Sequence, residues 1–305
     1  MLRLGRIMPN TDFDPGKLSA FASHLAVGHP DRLHHYTGQS GLLGIVNRSE
    51  LWATKAQYMN DATEFSFGLD LAEERIRDHP KRASDNNSGK LDHLFPRRSG
   101  IASVNIFVAC FCEKPDLLSQ WRGYSGETYG YSLAMHGTKL KSAAEKSGFS
   151  LAKCIYDRTR QIEIMDQLIS HCLDIAKQGD MQTEFERGLL LVSAFFKDPT
   201  FVEEQEWRIV SKVKSITDKM VGFREGKSML TPYFRVPIGE GSDSVLEAAT
   251  VGPCPHMEQS QSATAMIFLR YGLAKTVNAN APGVVGTNAR TWPEVYSSKV
   301  PYRNW

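Results

Sequence analysis

The sequence predicts an α+β fold in which helices flank a central mixed or antiparallel sheet. Three observations carry that expectation. Short β-like runs at 33–37, 51–54, 106–111, 130–135 and 207–213 alternate with segments whose apolar residues recur at helical spacing. No internal repeat or coiled-coil heptad interrupts the pattern. With 305 residues and 41% hydrophobic content, the chain can bury a substantial core.

Taken in order, 17–27 reads as a short amphipathic helix that Gly28–Asp31 breaks. A strand at 33–37 runs into a helix carrying Leu42, Leu43, Ile45 and Val46, and 51–54 is a second strand. Asn60 and Asp61 read as the cap of a long helix through Phe65, Leu69, Leu71 and Ile76. Residues 80–100, with Pro80, Ser84, Asn86, Asn87 and Gly89, read as a flexible surface excursion, after which the texture turns to β. Helices are expected at about 138–148, 158–178, 181–197 and 260–272, with further strands at 233–238 and 249–251. No linker divides the chain. The expectation is one elaborated domain over 1–305, with a helical extension at 1–32 and a core at about 33–303.

Composition excludes several classes. A net charge of +2 is too mild to demand nucleic acid or an anionic membrane as an obligate partner. The longest apolar run, 188–196, is far shorter than the roughly 20 residues a bilayer needs. Residues 1–10 have no apolar region of the signal-peptide kind, so a cytoplasmic location is expected. The five cysteines are scattered and odd in number, and Cys110 and Cys112 alternate on a strand as buried thiols. Gly38, Gly41 and Gly44 lack dinucleotide-fold spacing, and the 222–228 loop is one residue short of a phosphate loop. The histidines and cysteines never take metal-ligand spacing, so no metal site is expected.

Three segments keep chemical interest. In 33–37, His35 and Thr37 share one strand face while His34 and Tyr36 share the other. A neutral imidazole donates and accepts at once, which suits a ribose or amide, although a strand histidine also serves as a plain hydrogen-bonded core residue. In 51–61, Tyr58 follows a strand and is placed to stack on a flat ring, or simply to cover the helix start. In 201–210, Glu204 and Glu206 lie two apart at a strand mouth, and Arg208 on the same face is placed to pair with either. If these converge on a cleft, they suit cleavage of the nicotinamide–ribose bond of NAD. The leaving group is already cationic, so one carboxylate suffices to stabilise an oxocarbenium-like transition state. Removing it would cost on the order of 3 kcal/mol in the barrier.

His35-Tyr36-Thr37, Tyr58-Met59-Asn60-Asp61, Cys112-Glu113, Trp121-Arg122-Gly123-Tyr124, Gly130-Tyr131, Glu206-Trp207-Arg208 and Pro301-Tyr302-Arg303 fall in an order that resembles a large bacterial family. That family is known only as a domain of unknown function, family 2971, and the likeness spans about 33–303. More distantly, the order of strand histidine, tyrosine and strand glutamate is similar to the ADP-ribosyltransferase superfamily, which implies a split sheet. In that family a first-strand His holds NAD, a Tyr with a second-strand Ser or Thr supports the nicotinamide end, and a Glu opening a later strand is catalytic. The resemblance implies that His35, with Tyr36 and Thr37, grips NAD and that Tyr58 stacks on nicotinamide near Thr54 and Asn60. It makes Glu206 catalytic and Glu204-Gln205-Glu206 similar to a Glu-x-Glu element.

The expected activity is therefore an NAD-consuming ADP-ribosyltransferase or glycohydrolase, acting on a protein or nucleic-acid acceptor. A toxin or antiphage effector held by an antitoxin or sensor protein is the context this implies. Two alternatives stand beside it: a non-catalytic binding or regulatory module of the same fold, and a metal-dependent nuclease built on Asp61, Asp116, Glu204 and Glu206. Trp121–Tyr124 reads either as a lid or as a packed corner.

Overall fold

The computed structural model describes residues 13–59, 62–83, 85–124, 129–175, 181–226, 228–273, 275–276 and 291–301. The strands are β1 (Arg32–Gly38), β2 (Glu50–Lys55), β3 (Phe107–Cys112), β4 (Gly130–His136), β5 (Phe149–Lys153), β6 (Glu206–Ser211), β7 (Val221–Glu225), β8 (Leu230–Pro237), β9 (Leu246–Val251), β10 (Lys275–Thr276), β11 (Thr291–Trp292) and β12 (Glu294–Ser297). The helices are α1 (Ser19–Leu25), α2 (Gln39–Arg48), α3 (Ala62–Arg77), α4 (Asp85–His93), α5 (Arg98–Ser103), α6 (Leu118–Tyr124), α7 (Gly137–Lys146), α8 (Arg158–Ile175), α9 (Met181–Ser193) and α10 (Met257–Arg270).

Strand β3 is the hub. One of its edges pairs antiparallel with β6, from Val108 opposite Val210 to Cys112 opposite Glu206. A strand residue has only two edges, so every other partner of β3 shares the remaining one. β1 meets that edge at His34–Cys112, and β2 meets it at Thr54–Val108 and Lys55–Phe107. Between these points the two strands splay, and among the described residues no strand covers 109–111 on that side. The sheet is forked there. From the fork it extends through β1, β4, β9 and β12 on one arm and through β2, β8 and β7 on the other, with β6 and β5 beyond β3, giving ten strands. All pairings among them are antiparallel except β9 with β12, so the sheet is mixed, as expected.

Two apolar clusters cover the two faces. Val108, Ala152 and Val210 pack against α1, α3, α8 and α9, whereas Leu33, Ala109, Phe111 and Ile209 pack against α2, α7 and α10. Buried from both sides, β3 reads as a near-continuous apolar strand, whereas β6, equally buried, carries Glu206 and Arg208. Any charge on them must find a partner inside.

One expectation changes. Residues 80–100 are not a bare excursion. They fold as a 3-10 turn at Pro80–Ala83 followed by α4 and the start of α5, and they bury Leu91 and Leu94 in the first cluster. Much of the polar composition that suggested a loop belongs to α4. The tail supplies β12, which adds parallel to β9. Trp121–Tyr124 is the end of α6, with Trp121 buried. The cap expected at Asn60 and Asp61 lies outside the described residues.

Candidate functional site

The fork holds a cavity of about 320 Å³, at the lower end of the range of roughly 300–1,000 Å³ typical of ligand pockets. His35, Tyr36 and Thr37 of β1 line it together with Thr54 of β2, Tyr58, Glu204 and Glu206. The three sequence segments therefore converge on one cleft. Asn60 lies outside the described residues. Trp52, Cys110, Gln120, Tyr124 and Arg224 also contribute to the walls.

The fork explains how His35 is held. The bond from Glu113 N–H to the Gln205 carbonyl fixes the alternation of the β3–β6 ladder, so Cys110 turns its backbone groups toward the uncovered edge. His35 Nδ1 donates to that Cys110 carbonyl at 2.9 Å. A carbonyl only accepts, so the proton sits on Nδ1 and Nε2 is left as an acceptor. Burial outweighs this hydrogen bond and holds the imidazole pKa below its ordinary value, which keeps the ring neutral.

Tyr36 is committed to structure as much as to the cleft. Its hydroxyl donates to the Lys114 carbonyl at 2.8 Å and accepts from Leu117 N–H at 3.0 Å. Its ring meets Trp121 edge-on at 4.7 Å. Thr37 packs where a Cβ on Gly41 would fall, so only glycine lets α2 start this close to β1. On the opposite arm, Arg224 donates to Thr54 Oγ1 at 3.3 Å. Trp52 stacks on Tyr233 at 4.3 Å. Tyr58, at 38% exposure, lines the cavity with the Lys55 ammonium 5.9 Å from its ring centroid.

The acidic pair is not a simple strand repeat. Glu204 ends a 3-10 turn (Pro199–Glu204), and Gln205 takes a left-handed conformation, φ 43°, before β6 begins at Glu206. That turn brings both carboxylates to Lys197, which lies at 2.7 Å from Glu204 Oε2 and 2.5 Å from Glu206 Oε2. Arg208 pairs with Glu206, as the sequence suggested, through Nε–Oε1 at 2.7 Å and Nη2–Oε2 at 3.0 Å. The Cys110 thiol adds a further hydrogen bond to Glu206. Burial would raise the Glu206 pKa, but Arg208 and Lys197 outweigh it and hold the group at about 2. Glu206 is thus an ionised carboxylate with both oxygens engaged. Glu204 is tied through one oxygen only.

The sequence reading missed Lys197, although a lysine that directly follows the apolar run 188–196 is an unusual placement and was the available signal. Cys112 is no nucleophile in waiting, since burial pushes its thiol up to about 11. Of the residues named for a nuclease, Glu204 and Glu206 line the cavity. Asp61 lies outside the described residues, and Asp116 is engaged by Trp121 Nε1, Ser298 Oγ and Lys299 N–H away from the cleft. Among the described residues no helix is long and apolar enough to cross a membrane.

No curated protein and no solved structure matches the chain. Residues 120–209, the run that contains most of α6 together with Lys197, Glu204, Glu206 and Arg208, match the model of a family described as Protein of unknown function (DUF2971).

Proposed function

We propose that the fork binds NAD and cleaves its nicotinamide–ribose bond, passing ADP-ribose to an acceptor. The convergence of His35, Tyr58, Glu204 and Glu206 on one cavity carries this reading. In the reaction the C1′–N bond breaks and its electron pair leaves with neutral nicotinamide. An acceptor hydroxyl, amine or water then bonds to C1′ and gives up its proton. His35 Nε2 accepts from a ribose hydroxyl, and Tyr58 stacks on the nicotinamide ring with Thr54 beside it. Glu206, fixed and ionised, supplies the negative field at the oxocarbenium centre. Glu204, with an oxygen to spare, receives the acceptor proton. A cytoplasmic effector under the control of a partner protein is the setting that suits an NAD-consuming activity.

The test is nicotinamide release from NAD by the purified protein. Glu206→Gln is expected to lower the rate about 100-fold, which matches removal of one preorganised electrostatic partner. Equal release by wild type and variant would discard the assignment.

One observation favours a second reading. Both Glu206 oxygens are already engaged by Lys197 and Arg208, the arrangement of a structural ion pair. A non-catalytic module would bind NAD without releasing nicotinamide, and its affinity would not respond to Glu204→Gln.

A further inference from the structure

His34 precedes the histidine that caps Cys110, and it points the other way. It pairs with Cys112, and Cys112 pairs with Glu206, so the three side chains form a row on one sheet face. The row spans two strand spacings, about 10 Å. His34 is 8% exposed and lines the cavity, yet no described residue bonds to either ring nitrogen; Nδ1 is closed off, and Nε2 is the nitrogen that keeps accessible surface. Burying a polar nitrogen without a partner costs free energy, and native proteins rarely leave one so. Burial, reinforced by the Arg32 charge, lowers its pKa to about 4, so the ring is neutral near pH 7 and offers one donor and one acceptor.

We propose that His34 is a second ligand-contacting residue, its Nε2 hydrogen-bonding a hydroxyl of the molecule held in the fork. The identification of that hydroxyl with a ribose rests on the NAD reading above, whereas the contact itself does not. His35 and His34 then hold the ligand from the two faces of β1, and His34 stands on the carboxylate side.

The experiment compares wild type, His34→Leu and His34→Asn by calorimetric titration with NAD and with ADP-ribose, and by thermal unfolding. Leucine fills the space without a polar atom, and asparagine restores a hydrogen-bonding side chain there. Expected are at least a tenfold loss of affinity in His34→Leu, partial recovery in His34→Asn, and a melting temperature of His34→Leu no lower than wild type. Unchanged affinity in His34→Leu, or a leucine variant less stable than wild type, overturns the proposal. If wild type binds neither probe, the NAD reading fails, and the unfolding comparison alone decides whether His34 is a residue held for a ligand or a structural one.

Discussion

The Glu206 carboxylate and the Arg208 guanidinium, two residues apart on β6, close a two-pronged ion pair inside the protein, Nε–Oε1 at 2.7 Å and Nη2–Oε2 at 3.0 Å. Arg208 also donates to the Ala194 carbonyl at 2.8 Å, which ties the strand to the turn after α9. Removing Arg208 leaves the buried Glu206 carboxylate with Lys197 as its one remaining cation among the described residues and frees Oε1 of its guanidinium partner. Arg208→Met is expected to cost about 3–5 kcal/mol in urea unfolding. The double variant Glu206→Leu/Arg208→Met should be less destabilised than the sum of the two single changes.

Acid stability should fall in two steps. Glu206 has a folded pKa of about 2 against an ordinary value of 4.5. Its stabilisation is therefore complete above the unfolded value and is lost as pH falls from 4.5 toward 2. The shift corresponds to about 3 kcal/mol. His34 is lowered from 6.5 to about 4, so the unfolded chain takes up its proton first and stability is lost from pH 6.5 toward 4. Unfolding measured against pH should show Glu206→Gln flattening the lower step and His34→Leu shrinking the upper one.

His35→Leu removes the donor to the Cys110 carbonyl at the uncovered edge of β3. Leaving a buried acceptor without a partner should cost about 1–3 kcal/mol, read as a lower urea midpoint with unchanged slope.

Asp116 joins α6 to the tail, accepting from Trp121 Nε1 at 2.7 Å, Ser298 Oγ at 2.6 Å and Lys299 N–H at 2.7 Å. Asp116→Ala should release both partners. Limited proteolysis is expected to cut near 298–301 in the variant and not in the wild type. Because α6 carries Gln120 and Tyr124 on the cavity wall, NAD affinity should weaken as well.

Much of this was legible in the sequence because local signals agree with the fold. Period-two and helical patterns placed β1, α2, β2 and β3, and the Glu-Gln-Glu-Trp-Arg run marked the entry to β6. The fork was not legible from pattern, because it arises from two strands sharing one edge of β3. Nor was the role of Lys197, which depends on the left-handed turn at Gln205 bringing two carboxylates to one ammonium. The segment 80–100 misled because α4 is polar in composition, while Leu91 within it and Leu94 just after it are buried in the core.

Backbone amide exchange with and without NAD tests the central claim most directly. Slower exchange confined to β1, β2, the turn through Tyr58 and the start of β6 is the predicted result. Unchanged exchange in those segments, or protection only at a distant surface, would contradict it.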